Sequence, residues 1–460
     1  MLRPTCPLFV RLGVAAALLA TLSPLAVSAE TLEEALAQTY LTNPTLNARR
    51  ALLRATDESV PQAAAGWRPT VRLSGALGRR EVETEQSGRT IVNEGRTSSS
   101  AGVTATQPIY QGGRTVAGTQ RAEAQIQAER ARLIATEQTV FLNVVTFYAN
   151  VIRDQAVVDL RINNEQRLSR QLEAASDRFR VGEVTRTDVA QAESRLSRST
   201  ADRITAEGNL TVSRTSFERF VGRPPESLVE PTLQPTLPAD AREAASIAAN
   251  SNPTIIAAQF EEIAQRLRIR ETQGELLPDL NVVADYSRTN DASARDQKTG
   301  TYGAQVQVTM PLYDAGSVTS RVRQARETAT QRRVEIEEVR RQVTTEATSS
   351  YESLGTAKAG LASLEQEIRA ATIALEGVQQ ESNIGSRTVL DVLDSEQELL
   401  DAQVRQVTAK RDTLIATYQV LSALGRLTAK DLGLPIQLYD YDANYQRVRN
   451  KWWDLPDALR

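Results

Sequence analysis

Two aspartates, Asp391 and Asp394, are the residues of this sequence with the clearest potential for chemistry. They are three positions apart, so on a helix their carboxylates share one face. Arg387 lies four positions before Asp391 and could form an ion pair with it on the same helix. An acidic pair of this kind attracts cations, but a pair on an ordinary solvated helix face has the same spacing.

Few other residues could support catalysis. The sequence of 460 residues contains no histidine, and its single cysteine is Cys6. Histidine-based triads and histidine-ligated metals are therefore excluded. If the first segment, with Cys6, is cleaved, the mature protein also lacks thiol nucleophiles, cysteine-metal sites and disulfides. The phosphate-binding motif G-x-x-x-x-G-K-[ST] is also absent. We expect no enzyme activity, no metal site and no cofactor.

The first 29 residues are predicted to be a secretory signal peptide. Arg3 and Arg11 flank the start of the apolar run Leu12–Ala20, and small residues precede an expected cleavage site after Ala29. Cleavage would leave 52 basic and 57 acidic residues, a net charge of −5, which argues against nucleic acid as a partner. No later segment has the roughly 18 apolar residues of a membrane helix, so a membrane location would require a β-barrel.

The rest of the chain is predicted to consist of two homologous halves. Asn43-Pro44-Thr45 recurs 209 residues later as Asn252-Pro253-Thr254. Further along each half the spacing is 203 residues, which relates Tyr148 to Tyr351 and Asp188 to Asp391. A register held over most of each half indicates an internal duplication. The predicted organisation is a first repeat at 30–221, a Pro-rich linker at 222–240, a second repeat at 241–426 and a C-terminal tail at 427–460.

Each half is predicted to contain one very long helix and one shorter helix. All 17 prolines fall outside four stretches, which are 114–181, 183–221, 317–384 and 386–424. At about 1.5 Å per residue the longer helices would reach about 100 Å, a length typical of coiled coils. Gly182 and Gly385 separate the paired helices, since glycine adopts the positive φ that a tight reversal needs. Ser386 is predicted to cap the helix after Gly385.

Each half also contains a predicted pair of strands, at about 69–110 and about 278–313. Apolar and polar residues alternate there, for example over 280–286. Polar loops are predicted at Glu83–Ser100 and Arg288–Gly300. Four strands cannot close a barrel with a lumen, but three chains would supply twelve. A soluble, half-buried sheet would show the same alternation.

This combination resembles the TolC-like outer-membrane efflux proteins over nearly all of residues 30–440. The resemblance is carried by the duplicated half and by Asn-Pro-Thr in each first helix. It is most specific in the segment from Gly385 to Asp394 and in the matching segment from Phe179 to Val189. Two further motifs close the strand pairs, Gln107-Pro108-Ile109-Tyr110 and Met310-Pro311-Leu312-Tyr313.

The resemblance implies an α+β membrane protein that forms a homotrimer. Each chain would contribute four strands to a trimeric 12-stranded β-barrel in the outer membrane of a Gram-negative bacterium, and long antiparallel helices to a coiled-coil tunnel in the periplasm. The C-terminal tail at 427–460 would also lie in the periplasm. The trimer would be the passive exit duct of a tripartite efflux pump or type I secretion system, with a periplasmic adaptor (membrane fusion) protein and an inner-membrane transporter as partners. The alternatives are a periplasmic adaptor, which lacks duplicated strand pairs, and a secreted coiled-coil structural protein, which lacks prolines at fixed strand boundaries.

By resemblance, the tips of the helical hairpins form an iris-like periplasmic gate. Asp391 and Asp394 of three chains would place six carboxylates around a narrow opening, where crowding raises some of their pKa values and attracts cations. Arg387 would link to Thr187 and Asp188 and hold neighbouring coils together. A gate held by links of this kind would be closed but could be opened, because exposed ion pairs contribute about 0–1 kcal/mol each.

The same tips are implied to meet the adaptor protein. One departure from the family lies here, since many members have an aromatic residue at the position of Ser382. The first half does have Phe179 at the matching position. The residues expected to contact the adaptor are Val181, Gly182, Glu183, Val184, Ile384, Gly385 and Ser386.

Overall fold

The structure, a computed structural model, describes residues 30–231, 236–291 and 296–452. The predicted signal peptide at 1–29, with Cys6, and the last part of the predicted tail, 453–460, lie outside these residues. Within them the chain is mostly helical with one four-stranded sheet, which is an α+β fold. The strands are β1 Thr70–Gln86, β2 Arg89–Gln111, β3 Asp279–Asn290 and β4 Lys298–Thr309. The helices are α1 Leu32–Thr42, α2 Pro44–Asp57, α3 Ser59–Ala64, α4 Arg114–Arg180, α5 Arg186–Val221, α6 Ala241–Ser251, α7 Pro253–Gln273, α8 Ser317–Asn383, α9 Val389–Ala423 and α10 Tyr441–Val448.

Two helical hairpins, α4 with α5 and α8 with α9, account for most of the helical residues. The longer members, α4 and α8, have 67 residues each, so each is about 100 Å long. They end one residue before the predicted ends, whereas α5 and α9 begin three residues later than predicted, at Arg186 and Val389. Among the described residues, no helix combines the length and the apolarity needed to cross a membrane.

The sheet is an antiparallel meander in the order β1-β2-β3-β4. Ser87 and Gly88 connect β1 to β2, and both have the positive φ typical of a two-residue hairpin turn. The predicted loop at Glu83–Ser100 is therefore wrong, because its backbone pairs within β1 and β2 on either side of this turn. Polarity suggested a loop, but strands that are not buried on both faces accept polar residues. The second predicted loop, Arg288–Gly300, is shortened by strand residues at both ends.

The apolar side chains of the strands lie mainly on one face of the sheet. Leu73 and Leu77 of β1 are each 78% exposed, and Tyr302 of β4 is 86% exposed. Along β3, Val282, Ala284 and Tyr286 are likewise exposed, whereas the alternate residues Val283 and Asp285 are half-buried. A contiguous apolar surface of this kind is unusual on a soluble monomer and marks a surface that meets an apolar environment or another protein.

Two tyrosines related by the internal spacing bond the predicted linker to the long helices. The Tyr148 hydroxyl lies 2.6 Å from the Val229 carbonyl oxygen and 2.9 Å from the Glu30 carbonyl oxygen. In the second half, the Tyr351 hydroxyl donates to the Ala239 carbonyl oxygen at 2.8 Å. Tyr148 is fully buried in the largest apolar cluster of the protein, so its hydroxyl needs such a partner.

The asparagine of each Asn-Pro-Thr motif joins two helices. The Asn252 side-chain oxygen accepts from the Thr254 N–H at 2.9 Å and so caps α7, while its amide nitrogen donates to the Ala423 carbonyl oxygen at the end of α9 (3.0 Å). Asn43 makes the same pair of bonds in the first half, where its amide donates to the Phe220 carbonyl oxygen at 3.0 Å. Both side chains are buried, which makes these bonds costly to lose.

Replacing Asn252 with alanine is expected to lower the free energy of unfolding by about 2 kcal/mol, because α7 loses its cap and the buried Ala423 carbonyl oxygen loses its donor. Chemical unfolding followed by circular dichroism measures this. The exposed Asn250→Ala variant is the control and should change the free energy by less than about 0.5 kcal/mol. Equal effects of the two substitutions would show that the clamp between α7 and α9 contributes nothing.

Candidate functional site at the hairpin tips

The two hairpins reverse at glycines with positive φ. These are Gly182, with φ of 81°, and Gly385, with φ of 80°. In the second hairpin the Ser386 N–H donates to the Glu381 carbonyl oxygen five residues earlier (3.0 Å), and Glu183 makes the equivalent bond in the first. The bond closes the helix C-terminus as in a Schellman motif. Both hairpins therefore end in tight tips of the same construction.

Threonines cap the helices that leave the tips. The Thr388 hydroxyl accepts from the Asp391 N–H (3.3 Å), and the Asp391 carboxylate accepts from the Thr388 N–H (2.9 Å), which completes a capping box at the start of α9. Thr185 and Asp188 do the same at the start of α5. The prediction that Ser386 caps α9 is wrong, because the N-cap is Thr388, two positions later, where the backbone is extended. The Ser386 hydroxyl instead donates back to the Glu381 carbonyl oxygen.

Capping lowers the pKa of two predicted gate residues. Hydrogen bonds from the backbone N–H and the hydroxyl of Thr388 lower the pKa of Asp391, and the charge of Arg387 lowers it a little more. The same bonds from Thr185 lower the pKa of Asp188. Both carboxylates are therefore negative at neutral pH. In the part of the chain that the structure describes, no three acidic residues are grouped so that they could hold a metal ion.

Asp394 connects the two hairpins. Its Oδ1 lies 2.6 Å from Nη2 of Arg195, so the first turns of α9 are linked to α5. Both side chains are partly exposed, and such a pair contributes about 0–1 kcal/mol. Arg195 was not among the predicted site residues. The internal spacing gave no signal for this contact, because it relates Asp394 to Gln191 and Arg195 to Glu398.

Arg387 pairs inside its own hairpin. Its Nε lies 3.0 Å from Oε2 of Glu381, across the tip between α8 and α9. Thr187 is exposed on the other hairpin, and Asp188 is held in the cap of α5. The single chain thus brings Asp394 to Arg195 but leaves Arg387 bonded to Glu381. A link from Arg387 to Thr187 or Asp188 stays a prediction about neighbouring hairpins in an assembly.

The tips also present apolar side chains to solvent. Val181 and Ile384, each next to a reversal glycine, are strongly exposed, and Phe179 is partly exposed. Gly182 and Gly385 have open space beside them, so their surroundings are accessible to a partner. Contact between these tips and an adaptor protein stays a prediction.

A buried carboxylate above the tips was missed by the sequence-based reasoning. Glu396 of α9 is buried, and its Oε1 accepts from Nε2 of Gln171 on α4 at 3.1 Å. Burial raises the pKa of Glu396, while nearby Arg167 and the Gln171 bond lower it in part. Its counterpart in the first half, Glu193, is exposed. The 203-residue spacing relates Glu193 to Glu396, but it does not indicate that only Glu396 is buried between the hairpins.

The cap at the second tip is expected to control local opening of α9. Thr388→Val removes the hydroxyl, which costs about 1 kcal/mol and raises amide exchange in the first turn of α9 about fivefold. Hydrogen exchange read by mass spectrometry over 386–394 measures this. Thr185→Val is the matched control and should accelerate exchange at the start of α5 instead. Unchanged protection around Asp391 in the Thr388 variant would contradict the assigned cap.

Comparisons with known proteins agree with this architecture. The family model described as "Outer membrane efflux protein" matches residues 34–223 and 244–426. Outer membrane efflux protein BepC of Brucella suis is 32% identical over 436 residues, which cover 94% of each chain. Outer membrane protein TolC of Vibrio cholerae is 26% identical over 437 residues, which cover 93% of this chain and 96% of TolC.

The fold is also similar to that of a solved channel. The crystal structure of the Campylobacter jejuni CmeC outer membrane channel superposes with a TM-score of 0.77, covering 93% of this chain and 90% of CmeC at 15% sequence identity. At that identity the likeness concerns the fold alone. The two family matches fall on the segments that carry the hairpins and strand pairs. The chain therefore belongs to the outer membrane efflux protein family, whose place is the outer membrane of Gram-negative bacteria.

Proposed function

We propose that three copies of this chain form a passive duct that spans the outer membrane and continues into the periplasm. The observation that carries the proposal is the sheet, which presents an apolar face to the outside and ends in unpaired outer strands, β1 and β4. Four strands are too few to enclose a lumen, whereas three copies joined β4 to β1 supply twelve. The exposed residues Leu73, Leu77 and Tyr302 would then face lipid.

The helices would extend the barrel as a tunnel. α4 begins at Arg114, directly after β2 ends at Gln111, so the sheet and the first long hairpin are joined by two residues. Both long helices run about 100 Å from the sheet end of the molecule to the tips. Three copies would contribute six hairpins to one wall. Such a wall has no nucleotide-binding motif in its sequence, so export would draw its energy from an inner-membrane transporter.

The tips would form the gate. Three copies of Asp391 and Asp394 would gather six carboxylates around the axis, where the caps lower the pKa of each Asp391. In each copy a weak exposed pair, Asp394 with Arg195, links the two hairpins and is worth about 0–1 kcal/mol, whereas the pair of Arg387 with Glu381 lies within one hairpin. Arg387 would also approach Thr187 and Asp188 across the junction between hairpins. A few such links per chain make a gate that partner contacts can open.

Contact with a periplasmic adaptor protein would supply that opening force. The exposed apolar residues Val181 and Ile384 lie beside the reversal glycines, where a partner could cover them. Covering apolar surface is favourable, and it would compete with the weak pairs that hold the tips together. The proposed contact surface comprises Val181, Gly182, Glu183, Val184, Ile384, Gly385 and Ser386.

Single-channel recording in a planar lipid bilayer tests the duct and its gate together. We expect the protein to give a small conductance that millimolar trivalent cations block from the periplasmic side. The variant Asp391→Asn, Asp394→Asn should conduct and require at least about tenfold more cation for the same block, equivalent to about 1.4 kcal/mol of lost cation affinity. The substitutions keep side-chain size, remove both charges and break the ion pair of Asp394 with Arg195.

A matched control removes the same charge from the first hairpin. Glu173→Gln, Asp177→Asn alters two exposed carboxylates of α4 near its end, and it should leave the block unchanged. Equal loss of block in both variants would assign it to overall charge and reject the acidic ring. A folded protein that gives no current would reject the duct itself.

A further inference from the structure

The segment that follows α9 runs along the helices toward the sheet. In α10, the Asp442 carboxylate lies 2.6 Å from Arg130 of α4, and the Asn444 amide donates to Asp57 at the end of α2 (2.8 Å). The Tyr445 hydroxyl then approaches Glu123, two turns closer to the sheet end of α4. Successive residues of the segment thus meet positions of α4 that lie progressively nearer the strands.

At Lys451 and Trp452 this segment lies beside the start of β1. Nη1 of Arg68 donates to the Lys451 carbonyl oxygen at 2.8 Å. The Arg68 guanidinium also lies over the Trp452 ring, 5.2 Å from its centroid. Since β1 begins at Thr70, these contacts hold Trp452 at the level where the sheet starts. A cation–π contact and a backbone hydrogen bond from one side chain fix the position of the indole.

The held indole is not used for internal packing. Trp452 is 69% exposed, and Trp67, the residue before Arg68, is 42% exposed. At the same end of the sheet, Ile109 and Tyr110 of β2 are also exposed. A large aromatic side chain that is fixed in place yet left uncovered is suited to an external surface that is apolar on one side and wet on the other.

We propose that Trp452 is a membrane anchor that binds the boundary between the headgroups and the acyl chains of a phospholipid bilayer. This inference rests on the proposed function, because it takes the exposed apolar face of the strands to lie in the bilayer. The bilayer would then begin near Thr70, at the level of Trp452 and Trp67. Tryptophan concentrates at this boundary in membrane proteins because its ring is apolar and its N–H can still bond.

The anchor gives the segment after α9 a role in setting the depth of the protein in the membrane. The sheet supplies lipid-facing residues along the strands, whereas Trp452 comes from a part of the chain more than 300 residues away in sequence from Arg68. Hydrogen bonds to Arg130, Asp57 and Arg68 hold this segment against the rest of the protein. The depth of Trp452 in the bilayer would therefore set the depth of the helices as well. A second copy of the chain covering Trp452 is the competing explanation, and the test separates the two.

Depth-dependent fluorescence quenching tests the proposal. The protein has three tryptophans, so Trp67→Phe, Trp453→Phe leaves Trp452 as the only indole. This variant is placed in phosphatidylcholine vesicles whose acyl chains carry bromine near the headgroup or near the chain end. We expect Trp452 emission to be quenched several-fold more by the shallow bromines than by the deep ones, and to be protected from aqueous acrylamide.

Other quenching patterns would overturn the proposal. Quenching by acrylamide alone would place the indole in the periplasm, and protection from both agents would show that a second copy covers it. A variant that keeps Trp67 as its only indole is the matched control, because its quenching reports the depth at which the sheet starts. Arg68→Ala in the Trp452-only protein should abolish the shallow quenching, because the indole is no longer held.

Flotation and conductance of the same vesicles separate this inference from the proposed function. A Trp452-only protein that floats with the vesicles and conducts, but shows no bromine quenching, overturns the anchor and leaves the duct intact. A folded protein that neither floats nor conducts overturns both. Quenching of Trp452 together with conductance supports both.

Discussion

Replacing Gly112 with alanine is expected to lower the free energy of unfolding by about 4 kcal/mol, the sum of backbone strain and a steric clash. Gly112 lies between β2 and α4 and has a φ of 60°. A Cβ there would come within 2.1 Å of the Gly274 carbonyl oxygen, just before β3. The obstacle is backbone, so relief requires moving the chain that leads into β3, which Arg114 also holds through Asp279 at 2.5 Å.

The neighbouring glycine supplies the control for this prediction. Gly113 has a φ of 75°, but a Cβ there meets nothing within 4 Å, so Gly113→Ala should cost only about 1–2 kcal/mol of strain. The residue related to Gly112 in the second half is Ala315, which is exposed and has a φ of 54°. The chain therefore accepts alanine in this conformation where there is room. Chemical unfolding of both variants measures the difference, and equal losses would contradict a clash at Gly112.

Glu137 is expected to make the stability of the helical body depend on pH. It is buried in α4, where its Oε1 accepts from the Ala429 N–H at 2.6 Å. Burial raises the pKa of Glu137 to about 7, although the Ala429 bond and the charge of Arg50 oppose the shift and Asp431 adds to it. In the unfolded chain the carboxyl titrates near 4.5. The folded protein therefore holds a proton that the unfolded chain has lost between these two values.

The sign of the effect follows from this difference. The stabilising contribution of Glu137 is fully present below its unfolded pKa and is lost as pH rises through its folded pKa of about 7. Between about pH 4.5 and about pH 7.5 the protein should lose about 3 kcal/mol relative to Glu137→Gln, which stays neutral and keeps a carbonyl acceptor for Ala429. Unfolding free energies of both proteins across this range measure the difference. Parallel pH profiles would show that Glu137 does not titrate in this window.

The long helices could be predicted from the sequence because proline and glycine restrict where a helix can run. The proline-free stretches predicted the ends of α4 and α8 to within one residue. The starts of α5 and α9 were three residues early, because the reversal needs residues in extended conformation after each glycine. The correct signal was in the sequence, since Thr185 and Thr388 are each followed three residues later by aspartate, the pattern of a capping box.

The strands were harder to delimit. The residues between 83 and 100 are mostly polar, and polarity predicts a loop only when one face of the strand must be buried. Here the apolar residues lie on one face and are themselves exposed, and the strand length is determined by pairing along β1 and β2. The turn at Ser87-Gly88 was the one local signal for the hairpin that the predicted loop overlooked.

The site could be predicted only in part. Motif spacing identified Asp391, Asp394 and Arg387, and the fold places all three at one tip. Their partners in the chain, such as Arg195 for Asp394, depend on how one hairpin stacks on the other. That arrangement involves residues about 200 positions apart, and local sequence patterns do not encode it. The capping role of Asp391 depends only on neighbouring residues in the sequence and could have been predicted.

The assembly itself is tested most directly by electron cryomicroscopy of the protein in lipid nanodiscs. We expect particles with three-fold symmetry, in which β1 of one copy pairs with β4 of the next inside the disc and the hairpins extend about 100 Å below it. The six carboxylates, from three copies each of Asp391 and Asp394, should face the axis at the hairpin tips. A sheet that lies outside the disc, or an assembly in which β1 and β4 stay unpaired, would contradict the proposed duct.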